Sequence, residues 1–525
     1  MSKTERNTIY RISAWILLFF TVISIRAEYG DVLDRKIRLS KNKGAVYELL
    51  KEVSDASGYL FIYDSQSIDN DKKVKIKKEE YTIRTAIYAI TGKNDLRIDV
   101  LGNHILLRLP DIHSNKKAIV TSSEEDEILH QKEDYFTFGG TLYDRITNEP
   151  VIYGTIGVDN SSIGTVSNQD GEFQLVIPDS LNSSLIRFSH IGYSSQVIEA
   201  SLLAGQNVRL YLEPKIVPLQ EIVVRVIDPV EAINKMIRSK DINYSSQPVY
   251  LTTFYREGIN FKHKNVDLTE SVLKVYKTGY RNTPNSDQVK LMKMRRIQNK
   301  QEADTVLSKM RSGVNSCLFL DIMKNFPDFL GPQKEILYAF THTDINVIDN
   351  RRVNVISFEQ KKHNAEPLYK GQLLIEAENS ALVEARFEVN PDYVEKATSF
   401  FVEKKSSDLK LTLQRASYIV SYKLSEDGTY RIGHIRGDIN FKVRKKKRLF
   451  SSPLHFWFEM VNCKTETRNV KSFPRNERLS TNKVFSETKF EYDKNFWGNL
   501  NVILPEDKLK ELIVNNLNEI ITESP

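Results

Sequence analysis

The stretch NQDGEFQLVIP, residues 168–178, decides the fold of the middle of the chain. Asp170 and Gly171 suit a tight turn, because glycine adopts positive φ without a steric penalty. From Phe173 to Ile177 the apolar residues then recur at every second position, which is the period of a strand with one buried face. The stretch therefore predicts a β-strand that enters a hydrophobic core directly after a turn.

The same alternation of short strands and turn residues extends over residues 136–214 and predicts an all-β sandwich. The order of its segments resembles the carboxypeptidase-regulatory-like, or transthyretin-like, domain that precedes many TonB-dependent transporters. That family's domain is an accessory without catalytic residues, so the resemblance implies binding and not catalysis. Asp170, next to Asn168, is interpreted as a turn residue and not as a metal ligand, because calcium needs about six to eight oxygens.

Residues 30–110 predict a small α/β domain. Val46, Leu49, Leu50 and Val53 recur at helical spacing, and Gly58 stands where a helix is expected to end. A second helix is expected from residue 83 to residue 90, and a terminal hairpin follows it. The order of these elements resembles the secretin and TonB N-terminal short (STN) domain, and this resemblance implies docking to envelope proteins.

Residues 1–27 are typical of a signal peptide. Basic residues precede an apolar run from Ile12 to Ile25, which is shorter than the roughly 20 residues of a membrane-spanning helix. No cysteine follows the run to carry an acyl anchor, so we expect no integral transmembrane segment after cleavage. The sequence thus predicts export to the periplasm or the outer-membrane periphery. Residues 111–135, rich in serine and charge, are expected to form a linker.

The rest of the chain is predicted to be a connecting segment with a helix, residues 215–248, and a large antiparallel β-rich α+β module, residues 249–525. Turn residues at 378–380 and 426–428 each lie between alternating segments and predict hairpins. Leu291, Met294 and Ile297 keep roughly helical spacing and predict helices between residues 288 and 329. The whole is a multidomain α+β and all-β protein, too short after the sandwich to form a transporter barrel of its own.

Two stretches of the last module carry a further resemblance. YKGQLLIEAENSALVEARFEVN, residues 369–390, resembles the hairpins of lipoprotein-carrier-like half-barrels, and FEYDKNFWGNLNVILPEDKLKELI, residues 490–513, resembles the end of envelope proteins that combine such a module with a regulatory-like sandwich. This resemblance implies a hydrophobic or glycan-related ligand. The alternative is a plain antiparallel α+β domain without a ligand cavity.

Local sequence signatures of catalysis are missing from the chain. HExxH, GxSxG, a phosphate-binding glycine loop and CxxC do not occur, so no catalytic residue, metal ligand or cofactor is predicted. The net charge of +7 and pI near 8.9 are too mild to indicate nucleic-acid binding. We therefore expect a non-enzymatic envelope protein that binds protein partners or a ligand, accessory to outer-membrane uptake or envelope signalling. The alternatives are an envelope peptidase or hydrolase without local motifs, and a structural surface component.

Two sets of residues are candidates for special chemistry. Cys317 and Cys463 are the only cysteines, and an oxidising compartment permits either a disulfide or two buried thiols. The second set is a basic cluster directly before Leu449 and Phe450, which can contact an anionic lipid surface or form a charged strand edge that resists pairing. The cluster consists of Lys442, Arg444, Lys445, Lys446, Lys447 and Arg448.

Overall fold

The computed structural model describes residues 32–63, 68–69, 72–101, 104–108, 134–215, 227–262, 264–282, 286–298, 309–310, 313–362, 364–404, 409–446, 449–480, 497–507 and 509–510. The predicted signal peptide lies outside these residues, as does nearly all of the predicted linker. The chain divides into two compact units, residues 1–123 and 124–525. Each unit is described by itself.

The first unit contains two helices, α1 and α2, which share one hydrophobic core with a three-stranded sheet. In this sheet β3 runs parallel to β7, and β7 pairs antiparallel with β6. The helices are α1 (Val46–Ser57) and α2 (Ile83–Thr91). The strands are β1 (Lys36–Ile37), β2 (Lys43–Ala45), β3 (Leu60–Tyr63), β4 (Lys73–Lys75), β5 (Tyr81–Thr82), β6 (Arg97–Leu101) and β7 (His104–Arg108).

The first helix of this unit ends before Gly58, as the sequence predicts, and the second ends one residue beyond the expected residue 90. Gly58 and Gly92 adopt φ values of 80° and 68°, the left-handed conformation that closes a helix at little cost to glycine. At the start of α2 the side chain of Thr82 accepts a hydrogen bond from the Thr85 amide. The region contains two helices and several short strands, and its resemblance to the STN family stays a prediction.

The second unit begins with a β-sandwich of two four-stranded sheets. The turn at Gly171 has φ 76°, and Phe173, Leu175 and Ile177 are fully buried, as predicted. Val176, between Leu175 and Ile177, is also buried, and its backbone exchanges two hydrogen bonds with the Asn501 side chain. The strands are β8 (Tyr135–Asp144), β9 (Thr155–Val158), β10 (Gly164–Val166), β11 (Glu172–Pro178), β12 (Leu185–Ser189), β13 (Tyr193–Ser194), β14 (Gln196–Glu199) and β15 (Asn207–Pro214).

The rest of the second unit is built on a ten-stranded antiparallel sheet in the order β18-β17-β16-β27-β26-β25-β23-β22-β21-β20. Its strands are β16 (Val249–Phe261), β17 (Lys264–Lys277), β18 (Gln288–Gln298), β20 (Tyr338–Ile348), β21 (Arg351–Gln360), β22 (Tyr369–Glu376), β23 (Leu382–Val389), β25 (Leu409–Leu424), β26 (Tyr430–Lys445) and β27 (Ser452–Glu466). Two short strands, β19 (Lys309–Met310) and β24 (Val402–Lys404), pair with each other. The helices are α3 (Pro229–Arg238), α4 (Lys240–Asn243), α5 (Gly313–Phe319), α6 (Lys334–Leu337) and α7 (Thr398–Phe401).

The two faces of the large sheet pack against different partners. Consecutive residues of β16 show this directly: Tyr255 belongs to the main core with Val314 and Cys317 of α5, whereas Phe254 belongs to a second cluster with Val166 of the sandwich. Side chains of a strand alternate between faces. Helix α5 therefore covers one face, called the helix face, and the sandwich covers the other, called the sandwich face.

The helix predicted near Leu291 is wrong, because residues 288–298 form strand β18. A bulge in its pairing with β17 places Lys293 opposite Val272 but Leu291 opposite Leu273, which leaves Met292 as the extra residue. Met292 is 51% exposed, while Leu291 and Met294 both pack against the main core. A bulge thus produced the spacing of three that imitates a helix.

Other expectations for this module are met. The hairpins around residues 378–380 and 426–428 are β22–β23 and β25–β26. Strand β26 is continuous from Tyr430 to Lys445. The helix of the connecting segment is α3, whose first turn is capped by Asp228. Within the described residues, no helix combines the length and the apolar character that crossing a bilayer demands.

Candidate functional site

An apolar groove of about 270 Å³ lies between the helix face of the large sheet and the residues of and after α5. Its floor comes from five neighbouring strands, and two Phe side chains of α7 complete one side. The lining includes Phe319 at the end of α5 and Leu320 after it, Tyr369 of β22, Phe387 of β23, Tyr418 of β25, Ile439 of β26, Phe456 and Phe458 of β27, and Phe400 and Phe401 of α7.

The pairing of the strands brings the floor residues together. Phe387 lies opposite Tyr418, and Ile439 lies opposite Phe456. The ring centroids of Phe387 and Tyr418 are 5.3 Å apart, and those of Tyr369 and Phe387 are 5.5 Å apart in an edge-to-face arrangement. These distances are typical of favourable aromatic pairs. The floor is thus a continuous, ordered aromatic surface.

Gly437 makes room for one ring of this floor. It lies opposite Phe458 in the pairing of β26 with β27, and a Cβ atom at position 437 would lie 2.3 Å from the Phe458 ring. No side chain larger than hydrogen fits there unless the ring moves. The floor therefore depends on a glycine in the interior of a strand, where glycine is otherwise disfavoured.

The rim of the groove differs from its floor in exposure. Phe456 and Phe458 on the floor are 5% and 1% exposed, whereas Phe319 and Phe400 on the rim are 37% and 61% exposed. Large exposed aromatic side chains beside a cavity are characteristic of sites that an apolar partner covers.

Two phenol groups provide the polar chemistry of the floor. Burial, followed by the charge of Asp328, raises the pKa of Tyr369 to about 12. Burial also raises the pKa of Tyr418 well above its usual value. Both phenols therefore stay neutral near pH 7. Among the described residues neither hydroxyl has a hydrogen-bond partner, so both can bond to a polar atom of a ligand.

The described groove lining carries few polar groups. Ser316 is its only hydroxyl other than the phenols, and no histidine, carboxylate or lysine of the described residues lines the groove. Nucleophilic catalysis needs a base within hydrogen-bond reach of the nucleophile. The lining therefore selects apolar molecules with at most a few polar atoms.

The sandwich face carries a buried charge network that fixes the sandwich. Arg256 Nε donates to Glu459 (2.8 Å), and His434 Nε2 is 2.8 Å from the other oxygen of that carboxylate. Burial alone would raise the pKa of Glu459, but Arg256, His434 and Arg436 hold it well below its usual range. The Tyr153 ring of the sandwich lies 4.7 Å from that of His434. This network is structural, since its charges are paired with one another.

A second cavity, about 70 Å³, lies between the sandwich and the large sheet. His190 and Lys423 line it, and burial lowers the pKa of each. Glu384 is also part of the lining and bonds to the Ser421 hydroxyl (2.7 Å). The cavity has room for a few water molecules and no larger ligand.

The two cysteines are free and buried in the structure. Cys317 lies on α5 in the main core, and Cys463 lies on β27 in the cluster between the sheet and the sandwich. Because they belong to cores on opposite faces of one sheet, the structure contains the second alternative, two buried thiols, and no disulfide. Burial raises the pKa of Cys463 to about 12, so this thiol stays protonated.

The basic cluster lies at the end of β26 and beyond it. Lys442 and Arg444 are exposed, whereas Phe441 and Val443, which alternate with them, are buried. Lys445 and Lys446 are also exposed, and Lys447 and Arg448 lie outside the described residues. Strand β26 is internal, with partners on both sides, so the interpretation of the cluster as a protected sheet edge is wrong.

Asp170 takes part in a turn and accepts a hydrogen bond from the Asp507 amide. Its amide donates to the Asn168 side chain (2.9 Å), as expected of a turn residue. Asp170, Glu172 and Asp507 approach one another closely enough to suggest a cation site. The ammonium group of Lys510 already lies there, 2.7 Å from Glu172 and 3.0 Å from Asp507.

Sequence reasoning missed the groove as a unit. Phe387 lies in the stretch 369–390, which resembles a hairpin, and no local pattern connects it with Phe456 and Phe458. Phe319 and Phe400 had no local signal, because each lies far along the chain from most of the strands it faces. Only the pairing order of the sheet brings them together.

Comparison with known proteins identifies one domain. Residues 138–224 match the model of the CarboxypepD_reg-like domain, so the sandwich is a domain of this kind. No curated protein matches the chain.

Two solved structures are similar to parts of the chain. One is MucB in complex with MucA(peri), with 9% identity over 46% of this chain and 99% of the other, and a TM-score of 0.16. The other is a DUF1329 family protein from Desulfovibrio piger, with 14% identity over 47% of this chain and 96% of the other, and a TM-score of 0.19.

Proposed function

We propose that this protein is a non-enzymatic, exported envelope protein whose large β-module binds an apolar ligand in the groove on its helix face. The observation that carries the proposal is the groove itself, about 270 Å³ of space with an aromatic floor and exposed phenylalanines on its rim. Apolar surface of this kind gains roughly 25 cal/mol for each Å² that a ligand removes from water. A fatty-acyl chain or another elongated apolar group matches this lining.

The two neutral phenols define which ligands fit best. A carboxylate or ester oxygen at the end of an apolar chain can accept hydrogen bonds from Tyr369 and Tyr418, whose raised pKa values keep their protons in place. A ligand with many hydroxyl groups would leave most of them unpaired against aromatic rings. The groove thus favours a lipid-like ligand over a glycan.

Support for the rest of the proposal comes from different parts of the chain. Export rests on the sequence pattern of residues 1–27 and would place the protein in the periplasm or at the outer-membrane periphery. Docking to envelope proteins rests on the STN resemblance of residues 30–110 and on the CarboxypepD_reg-like domain. In this arrangement the first two domains bind protein partners, and the last module holds the ligand.

The groove is tested with the fluorescent fatty acid cis-parinaric acid and a matched pair of variants. Phe319 lines the groove and Phe326 does not, yet both are 37% exposed. We expect Phe319→Ser to raise the dissociation constant at least about fivefold, since the loss of one aromatic contact costs ~1 kcal/mol or more. Phe326→Ser should leave it unchanged.

Three results would contradict the proposal: no binding to the wild-type protein, equal effects of the two variants, or stoichiometric covalent labelling of one residue by a hydrolase-directed activity probe. The last result would favour an enzyme. Circular dichroism of both variants separates a loss of binding from a loss of folding.

A further inference from the structure

The turn between β26 and β27 carries the two most exposed large apolar side chains of the described residues. Leu449 is 90% exposed and Phe450 is 88% exposed, and the next most exposed is Ile242 at 80%. Exposure of two adjacent apolar side chains to water is unfavourable, and here no packing contact offsets its free-energy cost. Their position at the end of a hairpin presents them outward, which indicates a partner that covers them.

Basic side chains surround this apolar pair. Lys442 and Arg444 are exposed on the sandwich face of β26, and Lys445 and Lys446 continue toward the turn. Two more lie beside them: Lys410 of β25 lies opposite Arg444, and Lys262, in the turn after β16, donates its amide to the Pro453 carbonyl (3.1 Å). Residues 260–262, 409–412, 440–446 and 449–455 contain no aspartate or glutamate.

This combination fits one class of partner, an anionic lipid bilayer. Each lysine or arginine near an anionic membrane contributes about 1 kcal/mol, and apolar side chains that enter the interface add to this. A folded acidic protein would also complement the charge, but it would need a shaped pocket for Leu449 and Phe450. A bilayer accepts them without one.

We propose that the end of the β26–β27 hairpin, together with Lys262 and Lys410, docks on anionic lipid bilayers. Leu449 and Phe450 enter the interfacial layer, and the surrounding ammonium and guanidinium groups bind lipid phosphates. The docking surface is defined as Lys262, Lys410, Lys442, Arg444, Lys445, Lys446, Leu449 and Phe450.

The docking surface also has a direct connection to the groove. From Ile439, which lines the groove, Phe441 and Val443 continue along the helix face of β26 toward the turn, and all three belong to the main core. At about 3.3 Å per residue this apolar path covers roughly 13 Å. Docking would therefore bring the groove near the lipid from which an acyl ligand comes, a step that rests on the proposed function, whereas the docking itself does not.

The test is sedimentation of the full chain with vesicles of phosphatidylcholine, with and without about 30% phosphatidylglycerol, at low and high salt. The wild-type protein should bind the anionic vesicles and be released by salt, because salt screens exposed charges. Two variants test the docking surface. The first combines Leu449→Ser with Phe450→Ser, and the second combines Lys442→Glu, Lys445→Glu and Lys446→Glu. We expect each variant to lower the partition coefficient at least about tenfold, equivalent to ~1.4 kcal/mol.

Two control variants keep the number and type of changes the same. Ile242→Ser with Ile336→Ser removes exposed apolar side chains elsewhere, and Lys73→Glu with Lys75→Glu and Lys77→Glu reverses exposed lysines in the first unit. Both controls should bind like the wild-type protein. Absence of wild-type binding to anionic vesicles, or equal losses in controls and docking variants, would overturn the proposal.

The vesicle test is independent of the groove test. Binding of cis-parinaric acid in solution, without vesicles, should be unchanged in the docking variants, and Phe319→Ser should still bind vesicles. If the wild-type protein binds cis-parinaric acid but does not bind anionic vesicles, the docking proposal fails and the groove proposal stands.

Discussion

At the scale of single residues, Glu257 is half-buried and makes a short polar contact. It lies on β16 and accepts a hydrogen bond from the Tyr255 hydroxyl (2.5 Å). Burial raises the pKa of Glu257 to about 7, although the bond from Tyr255 acts in the opposite direction. The residue lies next to Gly313 at the start of α5, where a Cβ atom would approach the carboxylate to 2.9 Å.

This pKa predicts a stability change with pH. Between about pH 4.5 and pH 7 the carboxyl group is ionised in the unfolded chain but protonated in the folded one, so the folded state binds more protons and the free energy of unfolding falls as the pH rises. We expect Glu257→Gln to remove about 2 kcal/mol of this decrease. Urea unfolding at pH 4.5 and pH 7 measures it.

The exposed residue Glu335 provides the control for this prediction, since Glu335→Gln should leave the pH dependence as it is in the wild-type protein. A wild-type protein whose unfolding free energy rises over this range, with Glu257→Gln following the same curve, would show that the carboxyl group is ionised in the folded state.

At the scale of elements, strand β26 contains two glycines with opposite roles. A Cβ atom at Gly437 would lie 2.3 Å from the Phe458 ring, whereas a Cβ atom at Gly433 would lie no closer than 3.5 Å to any neighbour. We expect Gly437→Ala to destabilise the protein by about 1–3 kcal/mol through overpacking. Gly433→Ala should be neutral or slightly stabilising, because alanine loses less backbone entropy.

Thermal unfolding of the two alanine variants measures this difference, and cis-parinaric acid binding adds a second readout. The Phe458 ring must move in Gly437→Ala, and the groove floor moves with it, so ligand affinity should also fall. If both alanine variants are equally stable and bind equally well, the close contact between position 437 and the ring is not important.

Elements also show where sequence reasoning succeeds and where it fails. The period of two around Phe387 and the turns at 378–380 and 426–428 were sufficient to predict hairpins, because turn and strand signals are local. The bulge at Met292 could not be predicted, since it depends on pairing with β17, and it turned a strand into an apparent helix. The groove could not be predicted for the same reason: Phe319, Phe400 and Phe456 meet only through the fold.

At the scale of the whole molecule, the second unit uses the two faces of one sheet for different purposes. The helix face holds the groove, and the sandwich face is closed by the CarboxypepD_reg-like domain and by residues 497–507. Asn501 exchanges two hydrogen bonds with the backbone of Val176 (2.7 and 2.9 Å), and Glu506 pairs with Arg256 (2.7 Å). The end of the chain thus connects the sandwich to the sheet.

This connection predicts that the sandwich and the sheet unfold together in the wild-type protein. A variant that lacks the connection should unfold them separately. In the full chain, Asn501→Ala with Glu506→Gln removes the bonds to Val176 and leaves Arg256 with fewer partners. Loss of buried hydrogen bonds and of one partner of a buried ion pair should cost about 2–5 kcal/mol. Hydrogen exchange should then show β10 and β11 opening before β16 and β27, whereas in the wild-type protein these strands open together.

The matched control for this uncoupling is Glu477→Gln, which breaks a pair with Lys290 in which the Glu477 side chain is 37% exposed. An exposed pair contributes only about 0–1 kcal/mol, so exchange should stay as in the wild-type protein. If the sandwich and the sheet already exchange independently in the wild-type protein, residues 497–507 do not couple them. Joint opening would instead make the sandwich a rigid support for the sheet, and a partner bound to the sandwich could then stabilise the groove by mass action.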